Sequence, residues 1–496
     1  MKRLLMVPVL LTVLAAQAGV KLAAPFTDGM VLQREMPVRV WGTADAGEKV
    51  QVTFADARRD AVADKDGKWM VELPAMPACK TGRTLAANGV RISDVLVGEV
   101  WMCAGQSNTD CPIWGTNPRY RDGWGMMTLL STDKPFVRFV KTPRKMATEP
   151  VLDLPVKWLK MTPELAKLFK DGDKLPSAMG YYYALELANA LDIPVGLIDS
   201  SWGGTNIETW TPRSGYKGLS GLDVERDWKI VPAEEWKDTM LYGAIKAVHK
   251  QPSALWNGMV AAYAPMSVRG FIWYQGCSNS REPELYANKM HALYNGWAEE
   301  FRNPELSLYF VQLTPWGFEG IAKIQEAQAL FAAEEKNAAM AVINDVGNLT
   351  DIHPNDKRTV AKRLSLHALK RNYGRTEVRN ESPTLKSWKI EGDRFILSFN
   401  DAEGWYIYNH ARSMDTGFEI CGEDGVWKKA KVVNLTETKG RGGKKYYQGQ
   451  LDGKDVVVAA EGVAEPKKLR YLYSAPWFGS LYSDACLPLG AFHIGE

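Results

Sequence analysis

Histidine is scarce in this chain, with 6 among 496 residues, and the 6 cysteines (Cys79, Cys103, Cys111, Cys277, Cys421 and Cys486) are scattered without the short paired spacing that holds a metal ion. A structural zinc module is therefore excluded, and neither a metal site nor a cofactor is expected. The cysteine spacing selects no disulfide pairing. Beyond the first 18 residues no apolar run approaches the roughly 18 uninterrupted residues of a membrane span. An excess of one charge is also missing: 61 Lys and Arg stand against 58 Asp and Glu, a net charge of +3, which leaves no basic footprint for nucleic acid. With 46% hydrophobic and 24% charged residues the chain is neither disordered nor a coiled coil, and its length suits two or three domains.

What is present begins with Met-Lys-Arg, an apolar run from Leu4 to Ala15 and Ala16-Gln17-Ala18. These are the charged, apolar and cleavage regions of a signal peptide over residues 1–18, so an exported protein, periplasmic or secreted, is expected. Residues 19–97 alternate at the strand period, with strands expected at Val38–Trp41, Lys49–Phe54 and Lys68–Leu73 and a hairpin turn at Asp64–Gly67, and read as a small antiparallel β domain. Over residues 98–375 strands and helices alternate, the pattern of a parallel sheet with helices on its faces. Its strands are expected at Glu99–Cys103, Val195–Asp199, Val268–Tyr274, Leu306–Leu313 and Ala341–Asn344. Residues 376–496 return to β-rich text, either extending the first β layer or forming a sandwich, with the basic stretch Lys439–Lys445 as a solvated hairpin tip.

Four of the expected parallel strands run into polar, glycine-containing turns: Gly105-Gln106-Ser107-Asn108, Ser201-Trp202-Gly203-Gly204-Thr205, Gln275-Gly276-Cys277-Ser278-Asn279, and Asp345-Val346-Gly347 leading to Asp351-Ile352-His353-Pro354. In such sheets ligands bind beyond the carboxyl ends of the strands, so all four turns converge on one edge. Each alone is an ordinary turn, but together they supply a nucleophile, a base and donors. Ser107 follows a glycine suited to a sharp strand-to-helix turn, and His353 sits in a loop just ahead of a helix expected at Asp356–Leu369. His367 falls inside that helix and His249 in a Lys-flanked stretch, so neither is a candidate. The amides of Ser107 and of Gly203 or Gly204, with the side chain of Asn279, are the candidate oxyanion donors.

The order Ser, Gly, Asn, His on successive strand ends is similar to the SGNH (GDSL-like) hydrolases. More closely, the chain resembles the sialate O-acetylesterase family of carbohydrate esterases. The likeness is carried by Val-Leu-Val-Gly-Glu-Val-Trp-Met-Cys-Ala-Gly-Gln-Ser-Asn at 95–108, Ser-Ser-Trp-Gly-Gly-Thr-Asn-Ile-Glu-Thr-Trp at 200–210, Trp-Asn-Gly-Met-Val-Ala at 256–261, Val-Arg-Gly-Phe-Ile-Trp-Tyr-Gln-Gly at 268–276 and Asp-Ile-His-Pro at 351–354. It extends from Asp28–Arg34 to Leu481-Tyr482 and Leu487-Pro488. The resemblance implies an SGNH-like parallel sheet with helices on both faces, flanked by N- and C-terminal β segments. It also implies metal-free removal of O-acetyl groups from sugars, with Ser107 as nucleophile and His353 as base. The sequence departs from the family pattern at Thr109-Asp110, where Met-Glu is usual, and at Cys277, where Glu is common.

The expected partner is an acetylated sugar or sialoglycan. Gln106, Gln275 and Trp202 are candidate substrate contacts, and Trp210 and Trp273 candidate stacking walls. The third triad member is open: the usual position, three before the histidine, is Thr350, leaving Asp351, Asp345 or a backbone carbonyl, of which Asp351 is preferred because residues two apart in an extended loop point the same way. Alternatives are an acetylesterase for plant polysaccharide, or a non-catalytic sugar-binding protein on the same fold. The exact sugar, the regioselectivity and the oligomeric state are left open by the sequence.

Overall fold

The computed structural model describes residues 19–114, 124–131, 136–162, 164–165, 174–219, 221–222, 251–316, 319–347, 351–408, 416–439, 445–473 and 479–495. The expected signal peptide, His249, Thr350 and the tip of the basic hairpin lie outside these residues.

The central sheet contains β1 (Val90–Gly105), β2 (Val137–Lys141), β3 (Leu159–Lys160), β4 (Val195–Ser201), β5 (Gly270–Tyr274), β6 (Ser307–Val311) and β7 (Ala338–Ala341). They lie in the order β3-β2-β4-β1-β5-β6-β7. Every neighbouring pair is parallel except the short edge pair β3 and β2. The last strand ends at Ala341, three residues short of the expected Asn344, and the chain then enters the turn that carries Asp345.

One strand carries two hydrophobic patterns. From Val90 to Asp94 β1 is mixed in exposure, and from Val95 to Gly105 every residue is buried. Residues 90–97 pair antiparallel with Cys79–Ala87, residues 96–98 pair parallel with Val31–Gln33, and residues 99–105 are the centre of the parallel sheet. A strand covered on both faces has no solvent side to mark with polar residues, which explains a run that is apolar apart from Glu99, itself paired with Arg34 and Arg269. The expected boundary between residues 97 and 98 lies inside this strand, and Val52, Leu85 and Trp69 share one core with Trp101, Ile198 and Phe271. The Asp64–Gly67 turn also differs from expectation. It joins Ala57–Val62, paired with Lys49–Phe54, to Lys68–Leu73, paired with Val38–Thr43, so it passes between two sheets instead of closing a hairpin.

Helices cover both faces of the parallel sheet. The nucleophile turn starts α1 (Ser107–Asp110), followed by α2 (Ala178–Leu191), α3 (Tyr286–Glu300), α4 (Glu319–Glu334) and α5 (Lys357–Arg371). Helices α2 and α5 pack together on one face, α3 and α4 on the other. Ser177 caps α2, its hydroxyl accepting from Gly180 N at 3.2 Å, and Asp356 caps α5, accepting from Thr359 N at 2.9 Å.

After α5 the described residues build a β sandwich of seven-stranded and four-stranded sheets. It has its own core, including Phe395, Leu397, Trp405, Phe418, Val456 and Tyr471. Of the two arrangements left open by the sequence, the sandwich is the one found.

Candidate active site

Strand β1 lies where the chain reverses its direction of travel across the sheet, with β4 on one side and β5 on the other. Its carboxyl end is a topological switch point, the ordinary place for a ligand in an open parallel sheet. Gly105 ends the strand in register with Ser201 and Tyr274. Its φ of +141° suits glycine, and a Cβ there would meet Tyr274 O at 2.4 Å and Thr109 Oγ1 at 2.5 Å. The close fit turns the chain and presents Ser107 as the first residue of α1, where the amide has no intrahelical acceptor.

Ser107 Oγ is 2.9 Å from His353 Nε2, and His353 Nδ1 is 2.9 Å from Asp351 Oδ1. The same carboxylate oxygen accepts from His353 N at 3.0 Å, so Asp351 fixes both the loop and the imidazole ring. With Nδ1 facing a carboxylate, the proton resides on Nδ1 and Nε2 is left as an acceptor for the Ser107 hydroxyl. Asp345 is engaged elsewhere. Its two oxygens receive Arg363 Nη1 and Nη2, each at 2.6 Å, and Oδ2 also accepts from Tyr482 OH at 3.0 Å.

The Gly203 turn lies against the nucleophile: a Cβ on Gly203 would sit 3.4 Å from Ser107 Cβ. Gly203 N donates to Asp110 Oδ2 at 3.1 Å. Asp110 also receives Arg144 Nη2 on Oδ2 at 2.6 Å and Lys141 Nζ on Oδ1 at 3.4 Å, and Lys141 bridges onward to the fully buried Asp199 at 2.9 Å. Burial alone would raise the Asp110 carboxyl, but Lys141 and Arg144 outweigh it and hold it below the ordinary aspartate value of 3.8. Burial likewise disfavours the Lys141 ammonium, and the Asp199 and Asp110 carboxylates reverse this and keep it above the ordinary lysine value. The guanidinium of Arg144 lies 6.0 Å from the ring of Trp202, which is nearly buried at this turn.

Several expected contacts are placed differently. Asn279 is 4% exposed, and its Nδ2 donates to both oxygens of Glu208, at 3.0 and 2.9 Å, while Oδ1 accepts from Ile207 N and Gln275 Nε2. Its amide is thus engaged in holding the Gly203 loop and the Gln275 loop together instead of being open toward Ser107. Glu208 is itself paired with buried Lys289 at 2.6 Å. Gln275 is fully buried, with Nε2 on Thr205 O and Asn279 and Oε1 on Tyr286 OH, so it is a brace and not a substrate contact. Trp210 and Trp273 are core residues packed edge to face at 6.3 Å, not stacking walls. Gln106 Oε1 accepts from Gly276 N at 3.2 Å, which ties the nucleophile turn to the β5 loop. Thr109 is buried beneath the turn, its hydroxyl donating to Tyr274 O at 3.0 Å, whereas Cys277 is half-buried, and burial pushes its thiol up to about 12.

Lys141 and Arg144 were not identified as site residues from sequence, and Asp110 was marked there only as a departure from the family pattern beside the site. Asp110 stands three residues after Ser107, the spacing that puts two side chains on one side of a helical turn, and Lys141 closes a strand of the same sheet. Among the described residues no group of His, Cys, Asp and Glu is arranged to hold a metal ion.

Residues 97–366 match the model of a carbohydrate esterase family described as sialic acid-specific acetylesterase. The sialate O-acetylesterase of Rattus norvegicus is 30% identical over 435 residues, covering 76% of this chain and 77% of the relative. That of Homo sapiens is 29% identical over 420 residues, with 77% of each covered. Among solved structures, a carbohydrate acetylesterase from Xanthomonas citri superposes with a TM-score of 0.79 at 27% identity, over 96% of this chain and 99% of that one.

Proposed function

The chain belongs to the sialic acid-specific acetylesterase family of carbohydrate esterases and is a carboxylic ester hydrolase, and from that premise we propose that it removes O-acetyl groups from sialic acids or related acetylated sugars through a serine acyl-enzyme. The observation that carries this reading is the unbroken chain from Ser107 Oγ to His353 to Asp351, with 2.9 Å at each link. In the first half-reaction His353 Nε2 takes the Ser107 proton as Oγ attacks the acetyl carbonyl, and the imidazolium then returns that proton to the departing sugar oxygen. Water repeats the sequence on the acetyl-serine, releasing acetate and restoring the hydroxyl. Asp351 stabilises the imidazolium in both halves.

The developing oxyanion is met by the Ser107 amide and by the Gly203–Gly204 turn. For Gly203 to contribute, its N–H has to swing from Asp110 to the oxyanion, while Asn279 acts by bracing that turn. Similarity to sialate O-acetylesterases supports an acetylated sugar as substrate, and the leader-like first 18 residues support export. Purified protein is expected to hydrolyse aryl acetate and O-acetylated sialic acid, with rates falling from acetyl to butyryl esters because Gly203 closes in on the nucleophile. Ser107→Ala is expected to fold normally and lose nearly all of this activity. Wild-type turnover by that variant would overturn the assignment.

A further inference from the structure

We propose that Lys357, acting through Asn108, is a positioning residue that holds Ser107 and His353 at reacting distance. The proposal rests on the serine esterase reading and names a device beneath it. Asn108 directly follows Ser107 and is 1% exposed. Its Oδ1 accepts from Lys357 Nζ at 2.6 Å, and its Nδ2 donates to Ile352 O at 3.0 Å. Ile352 is the residue before His353, and Lys357 lies four residues after it. A single amide beside the nucleophile thus grips the histidine loop on both sides of the histidine.

The arrangement is costly if it does only packing. Lys357 is fully buried, and removing an ammonium from water costs several kcal/mol. It is also the first residue of α5, where the helix dipole disfavours a cation. The Asp356 cap and the face of the Tyr274 ring, 5.6 Å from Nζ, offset part of that cost. An apolar residue of similar length would fill the space without it. What the ammonium adds is direction: a charge-assisted hydrogen bond fixes the Asn108 amide so that Nδ2 faces Ile352 O. Tyr274 completes the frame, because its carbonyl accepts from Gln106 N at 3.2 Å and from Thr109 Oγ1 at 3.0 Å, holding the nucleophile turn from the β5 side.

The test compares Lys357→Met and Asn108→Asp, each alone, in the full-length protein. Asn108→Asp retains an acceptor for Lys357 and turns the donor to Ile352 into a charged carboxylate oxygen, so it keeps the question answerable if Lys357→Met fails to fold. The measurements are kcat and KM for an aryl acetate, the rate of serine phosphonylation by an aryl phosphonate, and the thermal midpoint. Each single variant is expected to lower kcat and the phosphonylation rate by about 10- to 100-fold, the effect of a misplacement on the order of 1 Å, with KM changed less than about twofold. A kcat within about threefold of wild type in a folded variant overturns the proposal, as does a rise in KM at constant kcat, or a loss of kcat fully explained by a smaller fraction of titratable serine. Ser107→Ala run in parallel separates the two readings: if it retains activity the serine mechanism itself is wrong, and if it is inactive while Lys357→Met is normal only the clasp is.

Discussion

Two aspartates close to His353 in sequence carry different duties. Asp351 touches the imidazole at 2.9 Å, whereas Asp345 pairs with Arg363 through both oxygens at 2.6 Å. Asp351→Asn removes the charge that steadies the imidazolium and is expected to lower kcat by up to roughly 10⁴-fold with little change in stability. Asp345→Asn instead leaves a nearly buried guanidinium half-paired, so the midpoint of urea unfolding is expected to fall by the equivalent of about 3–5 kcal/mol while kcat of the folded fraction changes little. Swapped outcomes in the two variants would exchange the roles. Ser107, His353 and Asp351 were legible because each sits at or near a strand end in a turn of the right residue types. Asn279, Gln275, Trp210 and Trp273 stand at equally suggestive places. Sequence tells which end of a strand a residue occupies, not whether its side chain turns outward to a ligand or sideways to the backbone of the next loop, as Gln275 does to Thr205 O.

At the level of elements, the site is four strand-end turns tied by side chains from their neighbours. The tie between the nucleophile turn and the Gly203 turn is Asp110, whose carboxyl is held below 3.8 because Lys141 and Arg144 outweigh burial. A carboxyl with a depressed folded-state value contributes stability that is fully present above the unfolded aspartate range and is lost as pH falls through the folded value. Unfolding in urea measured from pH 7 downward should therefore show the wild type losing stability below about pH 4. Asp110→Asn should be less stable at neutral pH and converge on the wild type in acid. Parallel stability curves for the two proteins would show that the ion cluster is not what acid dissolves. Of this cluster only Asp110 was marked beforehand, as a departure from the family pattern beside the site. Lys141 belongs to a strand separated from Ser107 by β4, and only the order β2-β4-β1 brings its ammonium beneath the turn.

For the whole molecule, period and composition located many strands, among them Lys49–Phe54 and Lys68–Leu73 at the observed bounds, without revealing which strands pair. A period of two specifies a face, and the partner is chosen by the rest of the fold. That is why β1 runs unbroken across an expected boundary and why the sandwich after α5 is more than an appendage. Gly479 N donates to Asn344 O at 2.9 Å, Asn344 Nδ2 to Leu489 O at 3.1 Å, and Tyr482 OH to Asp345 Oδ2 at 3.0 Å, so the sandwich is fastened to the segment that starts the histidine loop. Tyr482 is 7% exposed, and burial with the adjacent Asp345 charge raises its phenol far above the ordinary range, keeping the hydroxyl a donor. Hydrogen bonds to charged groups contribute about 1.5–3 kcal/mol, so Tyr482→Phe should lower the unfolding free energy by about that amount. Because the phenol and Arg363 share one carboxylate, the double variant Tyr482→Phe with Asp345→Asn should cost clearly less than the sum of the two single ones. Full additivity in this double-mutant cycle would mean that the sandwich and the histidine loop are stabilised independently. Non-additivity would show that the sandwich and the histidine loop are coupled through the Asp345 carboxylate.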